Sequence, residues 1–141
     1  MAIRSLRSLV EGQTPITVAK NVTVTDAART MKQHNIGALL VVDGQRLCVI
    51  FTERDALFRV VAEGRDPAAT QVSQVMTPQP QTIHPDKPFL HALRIMHVGR
   101  FRHLPVVEDG RPLGMVSSRD ALDDDLYELR TNLDQREDML E

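Results

Sequence analysis

The sequence has no tryptophan and few other aromatic side chains, only four phenylalanines and one tyrosine in 141 residues. Its core must therefore be built mainly from aliphatic residues and methionine. The chain also lacks a charge excess, because a formal net charge of −2 gives no general attraction to nucleic acid or to an anionic membrane surface. Any anionic ligand would have to be held by local features.

Cysteine and long apolar runs are scarce as well. The single Cys48 excludes an internal disulfide, and the apolar run around it, residues 47–51, favours a buried small side chain over a nucleophile. No stretch approaches the ~18 apolar residues of a membrane span, and the N-terminus has no apolar segment typical of a secretory signal. We therefore expect a cytoplasmic protein without membrane contact.

What the sequence does contain is an internal repeat. A shift of 65 residues aligns its halves without a gap, so that Arg54-Asp55-Ala56-Leu57 falls on Arg119-Asp120-Ala121-Leu122. The same shift matches Ala27, Arg29 and Met31 with Ala92, Arg94 and Met96, and Leu39, Val41 and Val42 with Leu104, Val106 and Val107. Identities spread over this length indicate a tandem duplication.

Each copy shows the same order of predicted elements. Helical spacing of apolar residues is followed by a short apolar run, a turn signal, a second apolar run and another helix. The first copy predicts a helix over 25–34, strands over 38–42 and 47–51, and a helix over 54–62 that ends before Gly64. The second predicts a helix over 89–98, strands over 103–107 and 113–116, and a helix from Arg119.

One copy of about 50 residues buries little surface alone, so the copies should share a core. We predict an α/β (α+β) fold of two helix-strand-strand-helix repeats, each with a short leading strand, packed with pseudo-twofold symmetry. The repeats span residues 8–66 and 72–125, and the tail 126–141 is either a helix or disordered.

The sharpest local pattern stands where the second strand of each copy meets its second helix. Thr52-Glu53-Arg54-Asp55 and Ser117-Ser118-Arg119-Asp120 both place a hydroxyl three residues before a carboxylate at a helix start. The pattern is that of a variant capping box. It equally suits an anionic ligand, with the arginine adding charge and the carboxylate suiting ribose hydroxyls. Capping and binding do not exclude each other, and both interpretations stay open.

Several segments resemble one known family. The order of elements and the stretches Thr82-Ile83-His84-Pro85-Asp86, Arg102-His103-Leu104-Pro105-Val106-Val107 and Leu113-Gly114-Met115-Val116-Ser117-Ser118-Arg119-Asp120 look like CBS domains. The resemblance covers roughly residues 8–122, and two such domains together resemble a Bateman module. The first copy departs from the pattern, with Val49 where the second has Gly114 and Leu40 where it has Pro105.

The resemblance implies a ligand and a set of site residues. It implies AMP, ADP or ATP between the paired domains, with NAD and S-adenosylmethionine as further candidates. By resemblance, Asp55 and Asp120 would bind ribose hydroxyls, and Thr52 and Ser117 the phosphate, with Arg54 and Arg119 adding charge. The residues expected to border the adenine pockets are Thr17, Ile36, Ala38, Thr82, Ile83, Phe101, His103 and Pro105.

Other functions find less support in the sequence. His91 and His97 lie six apart on one predicted helix, facing opposite sides, so we predict no metal site. The basic run 100–103 suits phosphate or RNA no better than a solvated turn, and His103 could simply pack its ring. No arrangement of nucleophile and base indicates an enzyme.

We expect a regulatory module that senses an adenosyl compound and signals to an effector protein, and the resemblance adds a homodimer. The alternative is an interaction scaffold whose clefts are vestigial.

Overall fold

The fold is a pair of similar α+β repeats, seen in a computed structural model that describes residues 5–76 and 81–120. The predicted tail 126–141, the helix after residue 120 and the segment 77–80 lie outside the described residues. The helices are α1 (Leu6–Glu11), α2 (Val24–His34), α3 (Glu53–Asp55 continuing as a π-helix, Ala56–Val61), α4 (Val72–Val75) and α5 (Phe89–Gly99). The strands are β1 (Thr17–Ala19), β2 (Ala38–Asp43), β3 (Arg46–Thr52), β4 (His103–Glu108) and β5 (Arg111–Ser117).

The two hairpins form where the apolar runs and turn signals predict them. β2 pairs with β3 and β4 with β5, both antiparallel, and each pair is joined by a two-residue turn. Asp109 and Gly110 both take positive φ, 54° and 80°, as a turn matching the twist of the strands requires. The register shifts between Val41 and Val42 and again between Val106 and Val107, so the hairpins share even their irregularity.

The leading strands differ between the copies. β1 runs parallel to β2 over three residues, whereas in the second copy the pairing shrinks to one bridge between Ile83 and Val106. Pro85 stands two residues after Ile83, where the next bond of a parallel ladder would need an N–H that proline lacks. The predicted leading strand of the second copy is therefore only a bridge.

Each of the two short helices, α1 and α4, packs in the core of the repeat that it does not directly precede in the chain. Leu6, Leu9 and Val10 of α1 pack in the core of the second repeat, around Leu104 and Val116. Val72 and Val75 of α4 pack in the core of the first, around the buried Phe51. The sequence pattern predicts neither helix. Each repeat thus has its core completed by a segment that precedes the other one in the chain.

The ends of the long helices have clear local causes. The Thr23 hydroxyl accepts a hydrogen bond from the Asp26 N–H at the start of α2. At the other end Asn35 takes the left-handed conformation (φ 52°), and Arg100 does the same after α5 (φ 59°). Both therefore lead the chain from a helix into the first strand of its hairpin through the same backbone turn, which fixes where residues 35–38 and 100–103 lie.

Candidate functional site

In the first repeat, the hydroxyl–carboxylate pattern forms a complete capping box. The Thr52 hydroxyl accepts from the Asp55 N–H at 3.1 Å, and Asp55 Oδ2 accepts from the Thr52 N–H at 3.0 Å and from its hydroxyl at 3.1 Å. The other carboxylate oxygen, Oδ1, lies 3.5 Å from Nε of Arg59. Both oxygens of Asp55 therefore have partners within the protein.

The second repeat reproduces this cap more loosely. Asp120 Oδ2 accepts from the Ser117 N–H at 2.7 Å and lies 3.5 Å from the Ser117 hydroxyl. The long hydroxyl contact leaves Ser117 Oγ freer than Thr52 Oγ1 to bond a ligand.

Two clefts open between the repeats, and each takes its walls from both. We call the larger, of about 380 Å³, the first cleft and the smaller, of about 270 Å³, the second cleft. The first is lined by residues 13–16 and 35–38 with Leu40, His103, Met115, Ser117 and Arg119. The second is lined by residues 100–103 with Ile50, Thr52, Glu53 and Arg54.

The clefts are related by the internal repeat. The shift of 65 residues carries 35–38 onto 100–103, and Ile50, Thr52 and Arg54 onto Met115, Ser117 and Arg119. Residues 78–80, the counterparts of 13–15, lie outside the described residues. Each cleft thus combines the hydroxyl and arginine of one repeat with the helix-to-strand turn of the other.

Eight of the fourteen predicted site residues line these clefts. They are Ile36, Ala38, Ser117 and Arg119 in the first, Thr52, Arg54 and Phe101 in the second, and His103 in both. Asp55 and Asp120 are absent from the lining that the described residues form, and hold the hydroxyls as caps.

The other four residues are placed differently from the expectation that they border a pocket. Thr17 and Thr82 are exposed outside the described clefts, whereas Ile83 and Pro105 are buried. The Ile83 side chain packs in the core of the second repeat, since the parallel bridge to Val106 turns it inward. Its counterpart Val18 likewise packs against the first core.

The chain just before β1 lines the first cleft, and the sequence pattern misses it. Gln13 Nε2 donates to the Met115 carbonyl at 3.1 Å, and Gln13 Oε1 accepts from the Met115 N–H at 3.0 Å. A Cβ added at Gly114 would lie 2.6 Å from Gln13 Oε1 and 2.9 Å from Val10 Cβ. Gly114 therefore permits the close approach of α1 and Gln13 to β5. No apolar periodicity or motif in the sequence indicates that residues 13–16 line a cleft.

His103 lies where the two clefts meet, at the position that Ala38 holds in the first repeat. Burial lowers the pKa of its imidazole, and Arg102 lowers it further, while Glu53 and Asp120 act in the opposite direction. The lowered pKa favours the neutral ring near pH 7, which carries one donor and one acceptor.

A polar cluster outside the clefts holds α1 in place. Arg7 Nη2 lies 3.0 Å from Asp86 Oδ1 and 2.8 Å from Glu108 Oε2, and His84 is adjacent. Hydrogen bonds from Arg7 lower the pKa of Glu108. His84, Asp86 and Glu108 bring ligand-type atoms within 4.8 Å of one another. Because Arg7 already binds both carboxylates, we interpret the cluster as an ion-pair network rather than a cation site.

Comparison with known proteins agrees with this architecture. The CBS domain family matches residues 10–62 and 72–126. The mitochondrial CBS domain-containing protein CBSX3 of Arabidopsis thaliana is 40% identical over 116 residues, which cover 79% of this chain and 56% of that protein. Other curated relatives from that plant are longer still, and the chain covers about a fifth of them (20% for CBSCBSPB3).

Solved structures give the same result. A putative signal-transduction protein with CBS domains from Burkholderia ambifaria is 34% identical, with a TM-score of 0.80 over 86% of this chain and 93% of that one. The CBS domain pair of protein MJ0100, solved in complex with 5′-methylthioadenosine and S-adenosyl-L-methionine, is 28% identical, with a TM-score of 0.77 over 86% and 95%.

The fold and the paired clefts define a tandem CBS protein, as the resemblance predicted. The chain belongs to the CBS domain family, with two copies of the domain in one α+β unit. Within the part of the chain that the structure describes, no helix has the length and apolar character that crossing a membrane requires.

Proposed function

We propose that this chain is a regulatory module that binds an adenosyl compound in the clefts between its repeats and reports it to an effector protein. The observation that carries the proposal is the twofold recurrence of one constellation. In each cleft a hydroxyl and an arginine of one repeat face the helix-to-strand turn of the other. A ligand there touches both repeats, so its binding free energy can favour one packing of the repeats over another.

An adenosyl ligand suits the chemistry of the first cleft. Ile36, Leu40 and Met115 supply apolar surface for a base, and Ser117 with Arg119 supplies polar groups for a ribose or a phosphate. The similar CBS pair of MJ0100, with its two adenosyl ligands, supports the same class. AMP, ADP and ATP are the proposed ligands, with NAD and S-adenosylmethionine next.

The test is thermal unfolding of the purified protein with millimolar adenosine, AMP, ADP, ATP, NAD or S-adenosylmethionine. A ligand that binds only the folded state stabilises it by about 2.7 kcal/mol at a hundredfold excess over Kd. We expect a saturable rise in Tm with at least one of these compounds. Its loss in S117A, with the Tm of the free protein retained, would place the ligand in the first cleft.

A homodimer is the assembly we propose. Leu57, Phe58 and Val61 on α3 are 54%, 51% and 66% exposed, and Leu90 and Val98 on α5 are 74% and 75% exposed. Leu57, Phe58 and Val61 lie within about one turn of α3 and form an apolar face of the kind that another protein covers. A second copy of the chain is the occupant that the family resemblance favours.

One observation favours the alternative of an interaction scaffold with vestigial clefts. Asp55 Oδ2 is bonded to Thr52 as part of the helix cap, and Asp55 does not line the second cleft that the described residues form. If no adenosyl compound changes the Tm, the scaffold becomes the better account. In either case we propose a non-enzymatic protein. The lone Cys48 fits a reducing compartment, and we propose the cytoplasm.

A further inference from the structure

The two clefts are related by the repeat but differ in charge. Residues 35–38 read Asn-Ile-Gly-Ala, and their counterparts 100–103 read Arg-Phe-Arg-His. Two uncharged positions of the first cleft therefore carry arginine in the second. Arg54 and Arg119 occupy equivalent positions, and one of them lines each cleft.

A second difference explains how an arginine fits at position 102. A Cβ added at Gly37 would lie 2.9 Å from Oε1 of Glu53, which excludes a larger residue there unless Glu53 moves. In the second repeat the counterpart of Glu53 is Ser118, whose short side chain leaves that space free. The backbone contact is the same in both, since the N–H of residue 53 or 118 donates to the carbonyl of residue 37 or 102. The two differences therefore go together. The large Glu53 stands beside Gly37 in the first repeat, and the small Ser118 stands beside Arg102 in the second.

Among the described residues, three arginines, Arg54, Arg100 and Arg102, and one acidic residue, Glu53, line the second cleft, while the Arg54 guanidinium lies 5.1 Å from the centre of the Phe58 ring. In the first cleft, Arg119 is the one arginine among the lining residues that the structure describes. All three arginines that line the second cleft are exposed, so a hydrated phosphate chain in the cleft can reach them from solvent. Guanidinium groups bind phosphate oxygens through paired hydrogen bonds, and their attraction grows with the charge of the ligand.

We propose that the second cleft takes the polyphosphate end of a nucleoside di- or triphosphate, whereas the first takes an adenosyl ligand with one phosphate or none. The inference rests on the proposed function and assigns a ligand class to each cleft. It predicts a molecule that can hold two chemically different ligands at the same time.

The experiment is calorimetric titration of ATP, AMP and adenosine into the wild type and into the double variant R100N/R102Q. Asparagine stands at the equivalent position 35 and adopts the same left-handed backbone, so R100N keeps the turn. Glutamine at position 102 keeps most of the side chain's length without its charge. Inorganic tripolyphosphate serves as a probe of the phosphate subsite without a base.

We expect ATP to bind the wild type more tightly than AMP, and the double variant to lose about tenfold or more in ATP affinity. The affinity for adenosine should stay within about twofold, since it carries no charge for the arginines to bind. Tripolyphosphate should compete with ATP in the wild type and fail to do so in the double variant. Raising the salt concentration should weaken ATP binding more than adenosine binding.

Two controls separate the cleft from general charge effects. R94Q removes an arginine from the exposed side of α5, outside both described clefts, and should leave the ATP affinity unchanged. R119Q removes the arginine of the first cleft and should weaken AMP more than ATP. An R94Q variant that loses as much ATP affinity as R100N/R102Q would overturn the assignment.

Failure of this inference is distinguishable from failure of the proposed function. If adenosine or AMP binds but ATP binds no more tightly, or if R100N/R102Q weakens all ligands equally, the charge assignment is wrong while the sensing module stands. If no adenosyl compound binds the wild type at all, both fail. Thermal unfolding without ligand establishes that each variant is folded.

Discussion

Gly114 lies in β5 beneath α1, where a methyl group would meet atoms of Gln13 and Val10 at 2.6–3.0 Å. The glycine therefore has a packing role, because it lets the chain before β1 form the wall of the first cleft. In the first repeat the same position holds Val49, which is buried in the core. The family resemblance marks Gly114 only as part of a motif, whereas the structure gives a steric reason for a glycine at this position.

We predict that G114A is destabilised by about 1–3 kcal/mol, because its methyl group overpacks the α1–β5 contact. Thermal or urea unfolding measures this change. The matched control is G12A, since a Cβ at Gly12 would have open space around it and its backbone is already helical. Equal stability of G114A and wild type would contradict this account of the α1 contact.

We predict that His103 makes the folding stability depend on pH. Burial lowers the pKa of the folded imidazole below its ordinary value of 6.5, so the unfolded chain binds this proton more readily. The folding stability that His103 contributes is thus present above pH 6.5 and lost as the pH falls through the folded pKa. H103A, which copies Ala38, should show a shallower loss of stability below pH 6.5 than the wild type.

The measurement is the free energy of unfolding between pH 7.5 and 5. Glu53, Arg102 and Asp120 are the charged neighbours that act on His103, and the depressed pKa of Glu108 adds an acid-induced loss that both proteins share. H91A, at an exposed position of α5, serves as the control for removal of a histidine. A pH profile of H103A that matches the wild type would contradict the prediction.

At the scale of elements, the long helices and the hairpins follow from the sequence, whereas the short helices do not. α2 and α5 have full helical periodicity and hairpin turns follow them, so their existence was predictable. α1 has six residues, and its apolar positions make sense only against Leu104 and Val116, far away in the chain. The packing of α1 and α4 against the opposite cores depends on long-range contacts, which a local sequence pattern does not indicate.

In the clefts, too, some lining residues were predictable from the sequence and others were not. The hydroxyl, arginine and strand residues were predictable from the repeat and the resemblance, as with Ser117 and His103. The contributions of residues 13–16 depend on two hydrogen bonds between Gln13 and the backbone of Met115. Ile83 was expected at a pocket, but its single bridge to Val106 directs it into the core.

We predict that α1 is essential to the second repeat. Leu6 is fully buried in that core, so L6A should lower the free energy of unfolding by about 2–5 kcal/mol. E11A, at the exposed end of the same helix, should change it little. Denaturant unfolding measures both, and an L6A variant as stable as E11A would mean that α1 does not dock as described.

The cap of α3 gives a smaller effect. T52A removes the acceptor for the Asp55 N–H and the donor to Asp55 Oδ2, and should cost about 1 kcal/mol. T25A, within α2, is the matched control, since Thr25 is not the cap of its helix. If T52A and T25A unfold alike, the cap contributes nothing to the start of α3.

At the scale of the whole molecule, the two repeats act as one unit because each completes the core of the other and each supplies half of both clefts. The N–H of Leu47 also donates to the Gly110 carbonyl, which links the two hairpins directly. A ligand that binds in either cleft would therefore contact both repeats.

We propose that the apolar face on α3, formed by Leu57, Phe58 and Val61, is the contact surface of a dimer. We predict that light scattering gives the mass of two chains for the wild type and of one chain for L57E/V61E, because two buried carboxylates would not be tolerated in the interface. Q33E, at an exposed position of α2, should remain dimeric. A wild-type protein that is monomeric at high concentration would contradict the assembly.

Ligand binding between the repeats is tested directly by a crystal structure of the wild type grown with saturating ATP or AMP. We predict ligand density between the repeats, beside His103 and in contact with the Ser117 or Thr52 hydroxyl. Ligand density confined to surfaces outside both clefts, or empty clefts in a protein that calorimetry shows to be saturated, would contradict it.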